Sequence, residues 1–325
     1  MKPIAFITGI TGQDGSYLAE FLLQKNYQVV GMVSPKNDIG KQNIKSIESS
    51  LTLETGDLLD YESLYRIITR FKPQEIYNLG GITFLPASWD KATLTLDVNA
   101  LGVTRLLEII RDFSPQTRFY QATSAKIFGV PAEVPQTEAT PLRPVDPYSV
   151  SKACSHYLVK NFREHFKLFT VSGILYNHES ERRGPEFVTR KITLAAAKIK
   201  LNLEKNLTLG NLDARQDWGY APDYVEAMWL MLQQDKADDY IIASGESHSV
   251  RDVAEIAFGY LGLDFNKFIV IDKKIIRHAE ARELLGDSSK ARKILGWRPR
   301  VGFKDMIIKM VENDLKLLKE GKYEN

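Results

Sequence analysis

The sequence has few of the residues that form disulfides and metal sites. Its 325 residues include one cysteine, Cys154, and five histidines. One thiol excludes an internal disulfide and is typical of a reducing compartment, so we predict a cytoplasmic location. The histidines are scattered without the spacing of a metal site, and we therefore expect no bound metal.

Long hydrophobic runs and an excess of one charge are also missing. No apolar run approaches the ~20 residues that cross a bilayer, and the N-terminus does not resemble a signal peptide. The 43 basic and 41 acidic side chains nearly cancel, so no overall field attracts polyanions. We expect neither a nucleic-acid partner nor a membrane partner. The hydrophobic content of 44% predicts a globular protein with a large core.

The first half of the chain alternates between strand and helix patterns. Strands are predicted at 4–8, 28–33, 75–79, 118–123 and 170–175, and helices at 17–25, 61–71, 96–113 and 149–166. Strands that alternate with helices predict a parallel sheet covered on both faces. We therefore predict an α/β protein with a doubly wound parallel sheet, the Rossmann fold.

Beyond residue 176 the alternation is looser. Helices are predicted at 188–200, 222–232, 250–261 and 303–318, and one strand at 239–243. We predict a dinucleotide-binding domain from residues 1–176 and about 215–245. A smaller mixed α/β lobe for substrate is predicted from 177–214 and 246–325. Residues 34–50 and the tail after residue 320 are expected to be weakly ordered.

A glycine-rich turn directly follows the first predicted strand. Residues 8–15 read TGITGQDG, in which Gly9, Gly12 and Gly15 leave room for a pyrophosphate. Backbone amides at the start of the next helix offer donors to that anion. Asp57 is either a ligand of the adenine amine or the N-terminal cap of helix 61–71.

The residues after the second predicted strand bear on the choice of dinucleotide. An acidic residue there binds the ribose hydroxyls of NAD and repels a 2′-phosphate. This chain has Ser34, Pro35 and Lys36 instead. A hydroxyl and a cation favour NADP, whereas NAD is the alternative if Lys36 is a solvated loop residue.

A tyrosine and a lysine, Tyr148 and Lys152, lie one helical turn apart on a shared face. A phenol is a poor base at neutral pH, and a nearby ammonium lowers its pKa. Ser124, at the end of a predicted strand, is placed to hydrogen-bond the same substrate oxygen. These three residues predict oxidation of a carbinol by a nicotinamide cofactor. The alternative is a tyrosine and a lysine that merely pack.

These motifs lie within longer segments that resemble one family. The segments are ITGITGQDGSYLAE at 7–20, GILYNHES at 173–180, RRGPEFVTRK at 182–191, LGNLDARQDWG at 209–219, DYVEAMWLMLQ at 223–233 and LGD at 285–287. Over nearly its whole length the chain resembles the extended short-chain dehydrogenases/reductases. Within them it most closely resembles the GDP-mannose 4,6-dehydratase family.

The resemblance implies a nicotinamide dinucleotide and a GDP-hexose similar to GDP-mannose. With the motifs above, it gives these dinucleotide-binding residues: Gly9, Thr11, Gly12, Gln13, Asp14, Gly15, Ser34, Lys36, Asp57, Leu58, Leu79, Gly80, Gly81, Tyr148, Lys152, His178 and Arg183. Around the nucleotide-sugar it gives Thr83, Ser124, Asn177, Val188, Lys191, Arg215, Arg277 and Glu280. Arginine suits a diphosphate, although Arg215 and Arg277 are alternatively members of surface ion pairs. Helices 96–113 and 149–166 are expected to pair with their copies in a homodimer, with a homotetramer as the alternative.

The sequence departs from the family pattern at Lys126, where the family has a catalytic glutamate. That glutamate removes the C5 proton of the 4-keto sugar and protonates the departing 6-hydroxyl. A lysine ammonium can donate the second proton, but only a neutral amine can remove the first. Residues 80–83 read GGIT, which lacks a family amide, and residues 97–99 read DVN, as in related epimerases. Ser34 and Pro35 replace paired arginines, which affects both the NADP preference and the tetramer contact.

We consider two enzyme classes. The first is a 4,6-dehydratase that gives a 4-keto-6-deoxy sugar, with Ser124, Tyr148, Lys152 and Lys126 as catalytic residues. The second is a GDP-sugar epimerase or 4-keto reductase that transfers hydride without eliminating water. A non-catalytic sugar-nucleotide-binding protein is disfavoured because Ser124, Tyr148 and Lys152 are all present.

Overall fold

The computed structural model describes residues 2–34, 40–272 and 283–323. The strands are β1 (Ile4–Thr8), β2 (Gln28–Val33), β3 (Thr52–Thr55), β4 (Glu75–Asn78), β5 (Arg118–Ser124), β6 (Thr170–Leu175), β7 (Asn177–Glu179), β8 (Leu207–Leu209), β9 (Arg215–Tyr220), β10 (Tyr240–Ile242), β11 (Ser247–Ser249), β12 (Ile269–Ile271) and β13 (Glu283–Leu284). The α-helices are α1 (Gln13–Gln24), α2 (Tyr61–Phe71), α3 (Leu85–Asp90), α4 (Ala92–Leu96), α5 (Gly102–Phe113), α6 (Pro147–Phe166), α7 (Val188–Lys200), α8 (Ala221–Leu232), α9 (Val250–Tyr260), α10 (Ser289–Leu295) and α11 (Phe303–Lys319).

Seven parallel strands form the central sheet, in the order β3-β2-β1-β4-β5-β6-β10. The order reverses direction between β1 and β4, which opens a crevice at the carboxyl ends of these strands. The predicted doubly wound parallel sheet is therefore confirmed. Strand β10 is the strand predicted at 239–243 and lies at one edge of the sheet beside β6, and β3 lies at the other edge beside β2.

Helices cover both faces of this sheet. On one face, Leu18 and Leu22 of α1 share a core with Met228 and Met231 of α8. On the other face, α2, α5 and α6 contribute a second core. Strands buried on both sides need apolar residues at successive positions, which explains the run Ala5-Phe6-Ile7 in β1.

A second, mixed sheet lies in the C-terminal part of the chain. Strand β9 pairs with antiparallel β11 and with parallel β13 and β7. Its neighbours α7, α9 and α11 enclose a separate core. This is the predicted smaller mixed α/β lobe; the sequence boundaries between the two domains stay a prediction.

The predicted helix 96–113 has an interruption. Helix α4 ends at Leu96, a π-helical turn spans Asp97–Leu101, and α5 begins at Gly102. Wide turns of this kind often lie at functional sites. Here the turn carries Asn99, whose side chain bonds to the loop after β4.

Residues 40–50, expected to be weakly ordered, contain two short 3₁₀ helices at Lys41–Asn43 and Glu48–Ser50. Ile44 is buried between them, and the Asn43 amide donates to the Thr11 carbonyl at 2.9 Å. These contacts fix the segment against the glycine-rich turn. None of the helices in the described ranges is long and apolar enough to cross a membrane.

Candidate active site

A cleft of about 510 Å³ lies between the carboxyl edge of the central sheet and the C-terminal lobe. Its lining includes Asp14, Leu79, Thr83, Thr123, Ser124, Lys126, Tyr148, Lys152, Asn177, His178, Arg183, Val188, Lys191, Gln216 and Trp218. Predicted catalytic, cofactor and substrate residues thus share one cavity. Its size is ordinary for a ligand-binding site.

Helix α6 brings Tyr148 to the end of strand β5. The helix starts with a reciprocal cap in which Asp146 accepts from the Ser149 backbone at 2.7 Å, and Pro147 occupies the first turn. Tyr148 is therefore held in that first turn. Its hydroxyl hydrogen-bonds with the Ser124 side chain.

Lys152 follows one turn later and is 5% exposed. Its Nζ donates to the Ala122 carbonyl of β5 at 2.8 Å and lies 6.0 Å from the centroid of the Tyr148 ring. Burial lowers the pKa of Lys152 to about 8. The residue is therefore mostly ammonium at neutral pH and carries the charge that favours a phenolate.

The pKa of Tyr148 itself is raised in this state. Burial is the main cause, and the Ser124 hydrogen bond and the Arg183 charge offset it in part. The simple expectation that Lys152 lowers this pKa is therefore not met in the protein alone. Burial of the phenol determines the direction of this shift, and the Lys152 ammonium donates to the Ala122 carbonyl.

Asn99 connects this group to the loop after β4. Its Nδ2 donates to the Ser151 hydroxyl at 3.1 Å and to the Ile82 carbonyl at 2.9 Å, and its Oδ1 accepts from the Ile82 backbone. A Cβ on Gly81 would lie 2.8 Å from this Oδ1 and 3.9 Å from Lys152 Nζ. Sequence reasoning did not select Asn99 as a site residue. The available signal was the DVN pattern of residues 97–99.

The glycine-rich turn forms a tight cradle. Gly9 has a φ of +70°, and a Cβ there would lie 2.8 Å from the Gly80 backbone nitrogen. A Cβ on Gly15 would lie 2.2 Å from the Gly9 carbonyl oxygen. Helix α1 follows Gly12 without a side-chain cap in the described structure, so its first amides face outward. The cradle fits a pyrophosphate.

Asp14 and His178 form an ion pair inside the cleft, 2.8 Å apart. Burial alone raises the pKa of Asp14, but His178 holds it below its ordinary value. Burial lowers the pKa of His178, yet the Asp14 carboxylate leaves it raised overall. Gln13 donates to the His178 carbonyl and accepts from Ser180. Three predicted cofactor residues therefore form one network between α1 and β7.

Lys126 lies beside Ser124 on the lobe side of the cleft. Its backbone N–H donates to Ser124 Oγ at 3.2 Å. Its Nζ donates to Gln216 Oε1 at 3.2 Å, and Asn177 Nδ2 donates to the same oxygen at 3.3 Å. Gln216 was missed from the sequence, although it lies within the matching segment at 209–219.

Arg215, the neighbouring residue, has a different place. Its side chain is 46% exposed, hydrogen-bonds to Ser247 and lies 3.7 Å from Glu283. Alternation along β9 directs Gln216 and Trp218 into the cleft and Arg215 away from it. The geometry is that of the ion-pair alternative, and a substrate role for Arg215 stays a prediction.

The other predicted residues are distributed as follows. Arg183 lies 3.1 Å from Glu179 and over the Phe187 ring, and Lys191 donates to the Thr208 carbonyl.

Asp57 does not cap α2. The cap is Asp60, which accepts from the Glu62 backbone at 3.1 Å, so the cap interpretation of Asp57 is wrong. Leu58 is buried and Ser34 is partly buried at the end of β2. Lys36, Arg277 and Glu280 lie outside the described residues.

A dinucleotide fits the described residues. The cradle supplies amides without side chains, and Thr123 Oγ1 is buried at the cleft with no hydrogen-bond partner in the described structure. Among the described residues, no cluster of histidine, cysteine and carboxylate side chains is arranged to hold a metal ion.

The doubly wound sheet, the Ser–Tyr–Lys group at its carboxyl edge and the C-terminal lobe define an extended short-chain dehydrogenase/reductase. The chain superposes on a dTDP-glucose 4,6-dehydratase from Streptomyces venezuelae, solved with NAD and TYD bound, with a TM-score of 0.86 over 99% of both chains. At 22% identity this likeness shows the fold.

Closer sequence relatives identify the family. A model of the GDP-mannose 4,6 dehydratase family matches residues 6–310. The chain is 46% identical to GDP-mannose 4,6 dehydratase 2 of Arabidopsis thaliana, over 99% of this chain and 89% of the relative. It is 44% identical to the GDP-mannose 4,6 dehydratase of Cricetulus griseus, over 98% and 93%. The chain belongs to the GDP-mannose 4,6-dehydratase family.

The pKa of Lys152 predicts a basic limit to activity. A pKa of about 8 means that its charge is lost as the pH rises through that value. We expect kcat/KM, which reports the free enzyme, to fall above about pH 8. In Lys152→Arg the charge persists, so this fall should disappear even though overall activity is reduced. A Lys152→Arg profile with the same basic limb contradicts the assignment.

Proposed function

We propose that this protein is a GDP-mannose 4,6-dehydratase that uses NADP and forms the 4-keto-6-deoxy sugar nucleotide. The observation that carries the proposal is the Ser124–Tyr148–Lys152 group, set in a cleft next to the glycine cradle in a chain of this family. The relatives named for this reaction match over nearly the entire chain. A cytoplasmic location and the lack of nucleic-acid and membrane partners stay predictions.

NADP is favoured over NAD by the end of β2. The residue that follows β2 is Ser34, where an NAD-binding protein commonly has a carboxylate that repels a 2′-phosphate. Lys36 would add a cation but lies outside the described residues. NAD is the alternative.

The first step is oxidation at C4 of the hexose. Tyr148 takes the proton of the C4 hydroxyl, Ser124 holds the same oxygen, and the Lys152 ammonium favours the phenolate. NADP, which the cradle of Gly9, Gly12 and Gly15 would hold, would supply the hydride acceptor for this oxidation. The product of this step is a 4-keto sugar, whose C5 proton is acidic.

The second step removes water across C5 and C6. We assign the proton transfer to Lys126, which lies beside Ser124 in the cleft. The neutral amine takes the C5 proton, and the resulting ammonium gives a proton to the departing 6-hydroxyl. The C5–H and C6–O bonds break, one water leaves, and a C5–C6 double bond forms. Hydride addition at C6 and proton addition at C5, the latter matching the proton taken from the C4 hydroxyl, would leave no net redox change.

The nucleotide-sugar is assigned to the lobe side of the cleft. Asn177, Val188 and Lys191 line it there, and Thr83, in the loop after β4, lines the same cleft. Arg215, Arg277 and Glu280 are proposed from the family resemblance, with Arg215 requiring its side chain to leave Ser247. This places the diphosphate near the lobe and the hexose near Ser124.

A homodimer through the faces of α4 to α6 is proposed as the assembly, with a tetramer as the alternative. Large apolar side chains are exposed there, including Leu94, Leu101, Val150 and Tyr157. Val150 and Tyr157 are seven residues apart and therefore lie on one face of α6. A second copy would cover this surface.

Product mass tests the reaction. Incubation with GDP-mannose and NADP should give a product lighter by the mass of one water. Tyr148→Phe should form it about 10²- to 10⁴-fold more slowly, since the general base is lost. An unchanged mass with altered stereochemistry would assign the protein to the epimerase alternative. A protein that leaves GDP-mannose unchanged but reduces a supplied GDP-4-keto sugar with NADPH would belong to the reductase alternative.

Introducing a charge into the exposed apolar face of α6 tests the proposed homodimer. Tyr157→Glu should convert the dimer into a monomer, because a carboxylate is costly to bury in an interface. Leu203→Glu is the matched control, since Leu203 is also exposed but lies after α7. Sedimentation velocity measures the oligomeric state of each variant. A Tyr157→Glu protein with the sedimentation coefficient of the wild type contradicts the interface.

A further inference from the structure

Gln216 lies where three parts of the cleft meet. Its Oε1 accepts from Lys126 Nζ, on the turn after β5, and from Asn177 Nδ2, at the start of β7. Gln216 itself belongs to β9 of the lobe. One neutral oxygen therefore connects the proposed acid/base to a proposed substrate contact.

The backbone of Gln216 is firmly held. It pairs with His248 of β11 on one side and with Leu284 of β13 on the other. The next residue, Asp217, is fully buried and accepts from the backbones of Ser244 and Gly245 at 2.8 and 2.9 Å. A side chain on such a strand is positioned more accurately than one on a loop.

Lys126 needs such support more than a glutamate would. A lysine has a flexible four-carbon stem, so its nitrogen occupies many positions unless an acceptor holds it. An amide oxygen accepts a hydrogen bond from the ammonium and from the neutral amine alike. It therefore orients both forms that the proposed elimination requires. A carboxylate at the same place would favour the ammonium alone.

We propose that Gln216 is a positioning residue that orients Lys126 for water elimination and takes no part in C4 oxidation. The inference depends on the proposed dehydratase activity. Oxidation at C4 belongs to Ser124, Tyr148 and Lys152, which lie on the sheet side of the cleft. Elimination belongs to Lys126, which Gln216 contacts directly. A change at Gln216 should therefore separate the two steps.

The test uses Gln216→Met, which keeps the length of the side chain and removes the acceptor. With GDP-mannose and NADP, kcat for the dehydrated product should fall about 10- to 100-fold, the effect of a misplaced catalytic group. KM is not the deciding readout, because Gln216 Oε1 also accepts from Asn177, a proposed substrate contact. The single-turnover rate of nicotinamide reduction should equal that of the wild type. Gln116→Met, at an exposed site at the other end of the sheet, is the matched control.

A double-mutant cycle tests whether Gln216 acts through Lys126. Lys126→Met alone should lose elimination and keep nicotinamide reduction. Adding Gln216→Met to Lys126→Met should change the residual dehydration rate less than about 2-fold, because the effects of substitutions in one hydrogen-bond network are not additive. A further large loss in the double variant overturns the proposal. So does a Gln216→Met enzyme that dehydrates at the wild-type rate, or one that loses nicotinamide reduction and dehydration together.

An assay of the wild type distinguishes failure of the positioning role from failure of the proposed dehydratase activity. If the wild type forms no dehydrated product, the proposed reaction fails and the positioning role fails with it. If the wild type dehydrates and Gln216→Met does so equally, only the positioning role is wrong.

Discussion

The hydrogen bond from the buried Lys152 ammonium to the Ala122 carbonyl is the contact on which the site depends. Burying an ammonium is costly unless a strong acceptor satisfies it. The carbonyl at 2.8 Å does so and fixes helix α6 against strand β5. The same contact sets how far the charge lies from the Tyr148 ring. One hydrogen bond therefore fixes both the position of Lys152 and the distance of its charge from Tyr148.

The central sheet places this hydrogen bond at the edge of a cleft. Because its strands are parallel, their carboxyl ends lie at one edge, where the glycine turn after β1 faces the end of β5. The Asp14–His178 ion pair then connects α1 to β7, where the chain enters the lobe. A ligand that spans the cradle and the lobe would therefore meet Ser124 and Tyr148 between them.

Local patterns in the sequence were enough for the parallel sheet, the glycine cradle and the Tyr–Lys pair. Each is encoded within a few residues by alternation, by glycine spacing or by helical periodicity. Gln216 and Asn99 were not found, because their roles depend on the register of β9 and on a π-helical turn. Arg215 and Gln216 are neighbours, and because side chains alternate along a strand, Gln216 lies in the cleft and Arg215 on the other face. Asp57 was one of two alternatives as the cap of α2, and the residue that caps this helix is Asp60.

Lys126 is the proposed acid/base of the elimination step. The lobe supplies Gln216 Oε1 as an acceptor for its amine. On this proposal the lobe contributes to elimination as well as to nucleotide binding. Its β9 strand carries both that amide and Trp218 into the cleft.

The fate of the C4 hydrogen shows directly whether this enzyme transfers hydride from C4 to C6. With GDP-mannose carrying deuterium at C4 and unlabelled NADP, we expect the label to move to C6 of the deoxy product within the same molecule. Nuclear magnetic resonance of the product would detect it in the new methyl group. Label that remains at C4, or that is found only in the dinucleotide, would contradict hydride transfer from C4 to C6 by this enzyme.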